Sequence, residues 1–569
     1  MTNESESLDA NQPIISAPSA GQRHAQAIDW IMCFETACGG FLLLIIFICH
    51  YQMMSYGGGL WRDEINTFNM ASMESLGDII KNLEYDSFPI LWMLIVRGWI
   101  FAGLGSATGL RILGLIVGLG GTLSLIWACR TLGSRFSLVG LVLLYFCCPA
   151  AYSAGDSLRA YGCGMMLMFL TLGFLWKAVK DPSLLRVLCA GLLAVLSVQC
   201  VYYNSVLLFA MGMGGVAVGL RNRDFKKIAV VIGIGAAAAL SLIPYWGAIK
   251  RLGSWNIIFH FNFTVSWMME KFRETVEPAG AYVYWLWLAL PLIAMVVCTW
   301  WFKKSKKASS QEQDRMLFVF TTLVVAIVGY AVFLKVLSYP TQPWYYISII
   351  ALMAATLDAA ADLWIKARPA GRIMRLICVL IIMATTYINT WNAVHIRRTN
   401  MDILTVKLES ISVKNDLIVV NPFYFGIPFE HYYKGDAPWV TLPPITDHRL
   451  HRYDLFKEKM TETEPLVIVH DQIQKTLQAG NRVWVIGGGI YFLKDGESPG
   501  ELPPAPHSPY GWSEGAYSDV WWRQTAYLIQ QHATNAGAIS IDYKGPISPY
   551  ENAQLFVFQG WRSQEPLSQ

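Results

Sequence analysis

Long apolar segments alternate with short polar loops over the first 392 residues of the chain. A helix needs about 20 apolar residues to cross a bilayer. Eleven segments approach this length: 30–51, 109–129, 136–153, 160–177, 186–203, 204–220, 228–247, 281–302, 316–337, 343–364 and 373–392. A shorter run, 88–104, contains Arg97. The pattern predicts a mainly α-helical, polytopic membrane bundle of about 11 spans over residues 28–392, with re-entrant or juxtamembrane helices.

Basic residues indicate how these segments cross, because Lys and Arg accumulate on cytoplasmic loops. If the N-terminus lies inside and 88–104 does not cross, every basic cluster falls on the cytoplasmic side. These clusters lie at 130–135, 177–186, 221–227, 303–315 and 366–375. We therefore predict that 88–104 is re-entrant or lies along the interface. The outer side then carries the tail after the last span and the loops 52–108, 153–159, 248–280 and 338–343.

Both ends of the chain lack membrane-length apolar runs. Residues 1–27 are polar and have no signal-peptide core, which predicts a disordered cytoplasmic tail. Residues 393–569 contain strand-like runs separated by helical stretches, which predicts a small soluble α/β domain with parallel strands on the outer side. These strands are predicted at Leu417–Asn421, Leu466–His470 and Arg482–Ile486, and the helices at 448–460 and 472–479. The glycine run 487–489 lacks the spacing of a phosphate-binding loop, and we interpret it as a turn.

Composition agrees with a membrane chain and excludes other classes. Only 15% of the residues are charged and the mean hydropathy is +0.38, whereas a soluble chain carries roughly 25% charge. The net charge of +4 is too small and too dispersed to indicate a nucleic-acid partner. None of the 11 cysteines follows residue 378, so the outer domain has no disulfide framework, and the chain has no paired CxxC metal motif.

Carboxylates on the predicted outer side are the candidate functional residues. Asp63 and Glu64 follow the first span, and Asp86 directly precedes the short run 88–104. Asp156 and Arg159 lie in a loop of a few residues, where unpaired charge at the bilayer edge is costly. A single loop carboxylate is usually only solvated, but the combination of these sites favours a shared hydrated pocket.

Such carboxylates suit the transfer of a sugar from a phosphate leaving group. A base must take the proton of the incoming hydroxyl group, and cations must hold the departing phosphate. Asp63 is the predicted base, and Arg62, Arg159 and Lys335 are among the cationic candidates on the same side. Lys335 lies near the end of an apolar span, where it can reach a lipid phosphate, although a plain interfacial anchor is the alternative.

In these motifs the chain resembles the GT-C superfamily of integral-membrane glycosyltransferases, in its protein O-mannosyltransferase and aminoarabinose-transferase branch. Residues 61–64, Trp-Arg-Asp-Glu, are similar to the acidic motif of the family's first outer loop. Residues 85–91 resemble its Asp-x-His-Pro-Pro-Leu segment, with Arg111 opening the next span. Residues 153–161 resemble the Ser-x-Glu-x-Arg-x-Tyr segment of its second outer loop.

The resemblance implies an outer-face enzyme that uses a polyprenyl-phosphate hexose or pentose and inverts the anomeric carbon. Asp63 would be the catalytic base with Glu64 beside it, and Asp156 would share their cavity. The residues that would bind the donor phosphate or substrate are Asp86, Arg62, Arg159, Tyr161, Lys335 and Tyr345. Tyr345 lies in a proline- and tyrosine-rich opening of a late span, for which an aromatic belt is the alternative.

A metal is also implied for part of this family, since some members need a divalent ion and others do not. Asp63 and Asp156 are the residues that would hold Mg²⁺ or Mn²⁺. Ser87 and Phe88 stand where His and Pro are usual, and Asp156 stands where Glu is common. The missing histidine weakens metal binding by the segment 85–91.

The expected partners are the lipid bilayer, a polyprenyl-phosphate sugar donor and an acceptor glycan, lipid or protein, with no nucleic acid. The expected location is a bacterial inner or cell membrane, with the site facing the periplasm or exterior. A transporter or flippase of a lipid-linked or small polar substrate is the alternative, and an inactive scaffold of the same fold is a third. Transporters place charges near mid-membrane in repeated, broken helices. The sequence shows no such repeat, which favours the enzyme.

Overall fold

The computed structural model describes residues 20–248, 250, 263–304, 309–365, 368–489, 492–494, 496–504 and 513–563. The predicted disordered tail, 1–27, lies largely outside these residues. The helices, in chain order, are α1 Ala20–Tyr56, α2 Arg62–Ala71, α3 Leu76–Lys81, α4 Ile90–Trp99, α5 Ala107–Thr131, α6 Leu138–Tyr145, α7 Ala150–Ser153, α8 Tyr161–Lys180, α9 Leu184–Cys200, α10 Asn204–Arg221, α11 Phe225–Leu240, α12 Val265–Val276, α13 Ala281–Lys304, α14 Ser310–Leu337, α15 Ile347–Ile365, α16 Pro369–Val394, α17 Met401–Ile411, α18 Gly426–Tyr432, α19 Tyr453–Thr461, α20 Val467–Gln478 and α21 Glu514–His532.

Most of the chain before residue 395 is a bundle of apolar helices. In the described residues, nine helices are long and apolar enough to cross a membrane. They are Asp29–Tyr56, Ala107–Thr131, Tyr161–Lys180, Asn204–Arg221, Phe225–Ala248, Ala281–Lys303, Ser310–Leu337, Pro343–Ile365 and Pro369–Val394. Each coincides with one of the predicted spans, and the mainly α-helical, polytopic fold class is confirmed.

Two of the predicted spans differ from the structure. Residues 186–203 correspond to α9, which has 17 residues and is shorter than the other spans. The prediction of a continuous span at 136–153 is wrong, because α6 ends at Tyr145 and helix resumes only for the four residues of α7. Pro149 accounts for the break, since proline lacks an amide hydrogen and disfavours helix at the residue before it.

The short helix α4 lies against α2 at the start of the bundle. Arg97 donates a hydrogen bond to the carbonyl of Ala71 at the end of α2, at 2.9 Å. Trp99 Nε1 donates to the carbonyl of Gly109, at 2.9 Å, where α5 begins. Helix continues from α4 through the turn Ile100–Leu104, and this apolar stretch, Ile90–Leu104, is shorter than the nine candidate spans. It packs against α2 and the start of α5, and its re-entrant or interfacial placement stays a prediction.

The loops predicted to be cytoplasmic meet at the other end of α5. Arg315 Nη1 donates to the carbonyl of Leu132, at 2.8 Å, and Arg221 forms an ion pair with Asp314. These contacts join the predicted cytoplasmic loops at 130–135, 221–227 and 303–315. The predicted inner loops are thus on one end of the bundle, and the first outer loop is on the other.

The C-terminal part folds around one five-stranded sheet with the strand order β2-β1-β3-β5-β4. The strands are β1 Leu417–Val420, β2 Trp439–Thr441, β3 Val483–Gly487, β4 Asn535–Ile539 and β5 Gln554–Gln559. The first three strands are parallel, as predicted, whereas β5 pairs antiparallel with both β3 and β4. The glycine run 487–489 ends β3, and Gly489 has a φ of +116°, which glycine adopts readily.

Residues on the two faces of the sheet alternate along each strand. Val483 and Val485 pack toward α20 and α21, and Trp484 and Ile486 pack toward α17 and α18. The prediction of a strand at Leu466–His470 is wrong, because these residues begin α20. The buried residues Val469, Ile473 and Leu477 are spaced four apart, and this helical spacing outweighs the β propensity of the local Val-Ile-Val sequence.

Candidate functional site

A cavity of about 240 Å³ lies where the outer loops meet the C-terminal domain. Its wall comes from the first outer loop, the loop before α8, the segment before α15 and the C-terminal domain. The lining residues are Arg62, Asp63, Tyr85, Asp86, Ser87, Arg159, Tyr161, Tyr339, Pro340, Gln342, Trp344, Tyr345, Tyr424, His451, Tyr453 and Glu514. Chain segments that were predicted to share the outer side therefore meet at one end of the bundle.

Asp63 reaches the cavity from the first turn of α2. The helix begins at Arg62 because the chain turns after the first span, and Glu64 Oε2 accepts the amide hydrogen of Trp61 at 3.2 Å. Asp63 Oδ1 lies 3.2 Å from His451 Nε2 and 3.4 Å from Arg62 Nε. Within the described residues, the second oxygen of Asp63 accepts no hydrogen bond. Asp63 thus combines one oxygen that is held with one that is available to a ligand.

The environment of Asp63 favours its ionised form. Burial by itself would raise the pKa of Asp63. The hydrogen bond from His451 and the positive charges of Arg159 and Arg62 oppose this effect and hold the pKa below its usual range. Asp63 is therefore a carboxylate at neutral pH and can accept a hydrogen bond.

Asp86 and Arg159 form a bidentate ion pair under the cavity. Arg159 Nη1 and Nη2 lie 2.9 Å from Asp86 Oδ2 and Oδ1 respectively. Asp86 Oδ2 also accepts hydrogen bonds from Asn66, at 3.3 Å, and Thr67, at 3.2 Å. Arg159 Nη1 reaches the backbone carbonyl of Asp63, at 2.9 Å. The pair thus joins the first and second outer loops and fixes the helix turn that carries Asp63.

Aromatic residues complete the wall around this ion pair. The guanidinium group of Arg159 lies 4.6 Å from the ring centroid of Phe88, the residue that stands where proline is usual in the resembling family. Phe88 also makes an edge contact with Tyr161, with centroids 5.0 Å apart. Ser87 and Tyr345 both line the cavity. Tyr161 and Tyr345, both predicted site residues, therefore lie in the cavity.

Glu64 does not face the cavity, although it was predicted to lie beside the catalytic base. Its carboxylate is completely buried and forms a bidentate pair with Arg111, at 2.7 and 2.8 Å. Glu64 also accepts the amide hydrogen of Leu158, at 2.9 Å. Adjacent side chains on a helix point about 100° apart, so Asp63 and Glu64 face different partners. Glu64 therefore holds Arg111 and the backbone of Leu158 and does not line the cavity.

Asp156 is also absent from the cavity wall, so the expectation of one pocket for Asp63, Asp86 and Asp156 is wrong for the third residue. Asp156 Oδ2 lies 2.7 Å from Nδ1 of His50, near the end of the first span. Nε2 of the same histidine lies 3.0 Å from Thr122 Oγ1. Asp156 is therefore hydrogen-bonded to His50 inside the bundle.

Lys335 is exposed in the last turn of α14 and does not line the cavity. It precedes Tyr339 and Pro340, which do line it, by one helical turn. Contact with a lipid phosphate outside the cavity stays a prediction for this residue. Arg62, by contrast, lines the cavity and stacks on Tyr424, with its Cζ 4.2 Å from the ring centroid.

Sequence reasoning missed the contribution of the C-terminal domain. Tyr424, His451, Tyr453 and Glu514 close the cavity on the side away from the bundle. The sequence does contain an indication of this contribution in the segment 447–454, which reads Asp-His-Arg-Leu-His-Arg-Tyr-Asp. It concentrates charged and aromatic residues in a tail that was already predicted to be on the same side as Asp63.

Two glutamates of the C-terminal domain lie beside the N-terminus of α2. Burial raises the pKa of Glu514, which lines the cavity, although Ser518 and Arg62 oppose the shift. Glu551 does not line the cavity and is completely buried. It accepts the amide hydrogen of Arg62, with the nitrogen 3.1 Å from Oε1 and 3.3 Å from Oε2. Burial raises the pKa of Glu551 to about 8. The amide at a helix N-terminus is a favourable partner for such an acid.

The residues present do not fit the Mg²⁺ or Mn²⁺ site that was predicted at Asp63 and Asp156. These two carboxylates do not share the cavity, and Asp86 gives both oxygens to Arg159. Over the described part of the chain, no cluster of three His, Cys, Asp or Glu side chains is arranged to hold a metal ion. The two carboxylates predicted to share a divalent ion are therefore not brought together in the cavity.

The comparisons with known proteins find similarity only among solved structures. No family model matches the chain, and no curated protein does. The chain is similar to ArnT from Cupriavidus metallidurans, solved in the apo state and bound to undecaprenyl phosphate, with 12% identity and a TM-score of 0.47 over 79% of this chain and 93% of that one. It is also similar to the Archaeoglobus fulgidus oligosaccharyltransferase tethered with an acceptor peptide, with 10% identity and a TM-score of 0.47 over 94% of this chain and 75% of that one.

Proposed function

We propose that this chain is a glycosyltransferase that moves a sugar from a polyprenyl-phosphate donor to an acceptor hydroxyl group in the cavity, with Asp63 as the base. The observation that carries the proposal is the setting of Asp63. It lines the cavity as an ionised carboxylate, with Arg62 and Arg159 beside it and one oxygen available. A base and adjacent cations are the groups that such a transfer requires.

The reaction is a single displacement at the anomeric carbon. The acceptor oxygen forms the new bond to this carbon, and its proton passes to the available oxygen of Asp63. The bond from the anomeric carbon to the phosphate oxygen breaks, and the phosphate leaves with the electron pair as polyprenyl phosphate. Because attack and departure occur on opposite faces, the configuration inverts. One carboxylate is sufficient for this step, since the phosphate is a good leaving group without protonation.

Arg62 is better placed than Arg159 to hold the departing phosphate. The terminal nitrogens of Arg159 are engaged by Asp86, Thr67 and the carbonyl of Asp63. Nε of Arg62 lies 3.4 Å from Asp63 Oδ1, and the guanidinium group stacks on Tyr424. Its planar fork matches two phosphate oxygens. Arg159 instead holds the loops in place and supplies a second positive charge.

The wall before α15 gives the donor lipid a route from the bilayer. Tyr339, Pro340 and Trp344 line the cavity and directly precede an apolar helix. Tyrosine and tryptophan side chains favour the boundary between lipid and water. The sugar would enter between these rings while the prenyl chain stays in the membrane, and Lys335 would meet its phosphate on the way. Because the basic loops lie at the other end, the cavity belongs on the periplasmic or exterior side.

The direct test is sugar transfer by the purified protein in detergent or nanodiscs. Synthetic polyprenyl-phosphate pentoses and hexoses are supplied with candidate protein, glycan and lipid acceptors, and products are identified by mass spectrometry. We expect one donor class to be consumed, and nuclear magnetic resonance of the product to show an inverted anomeric centre. A product with retained configuration would contradict the single displacement.

The same preparation separates the enzyme from the transporter or flippase. A transporter would move an intact fluorescent lipid-linked sugar between the leaflets of a vesicle and would leave the sugar–phosphate bond whole. We expect cleavage of that bond that depends on the acceptor. Movement of the intact donor without cleavage under any acceptor would contradict the proposed function.

A further inference from the structure

His451 is the point at which the C-terminal domain contacts Asp63. Its backbone amide donates to Asn66 Oδ1 at 3.0 Å, and its Nε2 lies 3.2 Å from Asp63 Oδ1. Asn66 lies one helical turn after Asp63 on α2 and also donates to Asp86 Oδ2. The backbone of His451 is thus fixed to the same helix that carries the carboxylate its side chain meets.

Only one ring nitrogen of His451, Nε2, contacts Asp63 among the described residues. Nδ1 is buried and has no hydrogen-bond partner in the parts of the chain that the structure describes. Nε2 is therefore the ring nitrogen that meets Asp63 Oδ1, at 3.2 Å, and the tautomer with hydrogen on Nε2 is the one that can donate to it. The ring of Tyr453 lies nearly parallel to the imidazole, with 20° between their planes and 6.0 Å between their centroids. This stacking limits rotation of the imidazole and holds Nε2 toward Asp63.

We propose that His451 is a positioning residue for the transfer reaction: through Nε2 it occupies Oδ1 of Asp63 and turns Oδ2 toward the acceptor hydroxyl group. The role rests on the proposed function. It makes the C-terminal domain part of the active site, because without docking of the segment 447–454 the base would be free to rotate. Proper orientation of a base contributes strongly to proton transfer.

The variants His451→Phe and His451→Gln separate positioning from packing. Phenylalanine keeps an aromatic ring but removes the donor, whereas the glutamine amide places a nitrogen donor near the position of Nε2. With the donor and acceptor that the wild type uses, we expect His451→Phe to lower kcat by about 10- to 100-fold, the scale of one charge-assisted hydrogen bond. KM should stay within about twofold, and His451→Gln should regain most of the loss.

Asn69→Ala is the matched control for docking. Asn69 Nδ2 donates to the carbonyl of Arg449, at 2.8 Å, in the same segment, but Asn69 does not line the cavity. This variant should keep the wild-type kcat. Thermal unfolding of all three variants reports whether the domain remains folded. An equal loss of kcat in His451→Phe and His451→Gln would show that only packing matters, and would overturn the proposal.

The pH profile gives a second readout that packing alone would not move. Asp63 faces Arg62, Arg159 and His451, with Asp86 and Glu514 across the cavity. Because the hydrogen bond from His451 helps to lower the pKa of Asp63, the acidic limb of kcat/KM should shift to higher pH in His451→Phe. An unshifted limb together with unchanged kcat would overturn this role while Asp63 remained the base. A wild-type protein that transfers no sugar would contradict the proposed function and this role together.

Discussion

Arg159 pairs with both carboxylate oxygens of Asp86, with Nη1 2.9 Å from Oδ2 and Nη2 2.9 Å from Oδ1. Both side chains are almost completely buried, and they come from different outer loops. The pair therefore joins two loops at the cavity wall, while Asp63 in the same wall has only its Oδ1 in contact with His451 and Arg62 among the described residues. Two carboxylates that look alike in the sequence thus have different tasks.

Breaking this ion pair should destabilise the protein. Asp86→Ala leaves the guanidinium group of Arg159 buried without its main partner, which costs about 3–5 kcal/mol. We expect a clear fall of the thermal midpoint in detergent, and a loss of transfer that follows unfolding. Glu74→Gln, at an exposed carboxylate in the same loop, serves as the control and should change the midpoint little. An unchanged midpoint in Asp86→Ala would contradict a stabilising role for the ion pair between Asp86 and Arg159.

Arg62 should contribute mainly to donor binding. Arg62→Ala removes a guanidinium group that is available to the phosphate, so we expect KM for the polyprenyl-phosphate sugar to rise by about tenfold, equivalent to about 1.4 kcal/mol. Inhibition by polyprenyl phosphate should weaken by a similar factor, because the product carries the same phosphate. Arg449→Ala removes an exposed arginine outside the cavity and is the matched control. Unchanged product inhibition in Arg62→Ala would exclude the phosphate contact.

Glu551 should make docking of the C-terminal domain sensitive to pH. Its pKa of about 8 exceeds the value of about 4.3 for an exposed glutamate. The folded state therefore binds the proton more tightly than the unfolded chain. The stability from this group is fully present below about pH 4.3 and is lost as the pH rises through about 8.

Glu551→Gln removes this titration but keeps an oxygen for the amide of Arg62. The difference between its unfolding midpoint and that of the wild type should rise in favour of the variant from pH 5 to about pH 8. Above that pH the difference should stay constant. Glu458→Gln, at an exposed position in the same domain, should follow the wild type at every pH. If the unfolding midpoints of Glu551→Gln and wild type changed in parallel with pH, burial would not raise the pKa of Glu551.

Local sequence patterns predict the helical bundle well because a membrane span needs a long apolar run. They fail where a contact from elsewhere in the chain decides the outcome. The apolar segment 136–153 looks like one span, but it is broken at Pro149. The Val-Ile-Val sequence at 467–469 favours a strand, but its packing against the sheet makes it helical.

The candidate site likewise contains residues that the sequence could predict and residues that it could not. Asp63 and Asp86 are recognisable because they flank the first outer loop next to apolar segments. Asp156 has the same type of setting in the sequence, but it contacts His50 of another helix, which no local pattern reveals. His451 is 385 residues from its hydrogen-bond partner Asn66. Only the folded chain brings this segment to the base.

The central claim is that Asp63 takes the acceptor proton, and it is tested most directly by Asp63→Asn. The amide keeps the size of the side chain but cannot act as the base at neutral pH. With the donor that the wild type uses, we predict that kcat falls by at least about 10²-fold, while binding of polyprenyl phosphate and the unfolding midpoint change little. The control Glu74→Gln, at an exposed position of the same loop, should transfer sugar at the wild-type rate. Equal rates of transfer by Asp63→Asn and wild type would contradict the account.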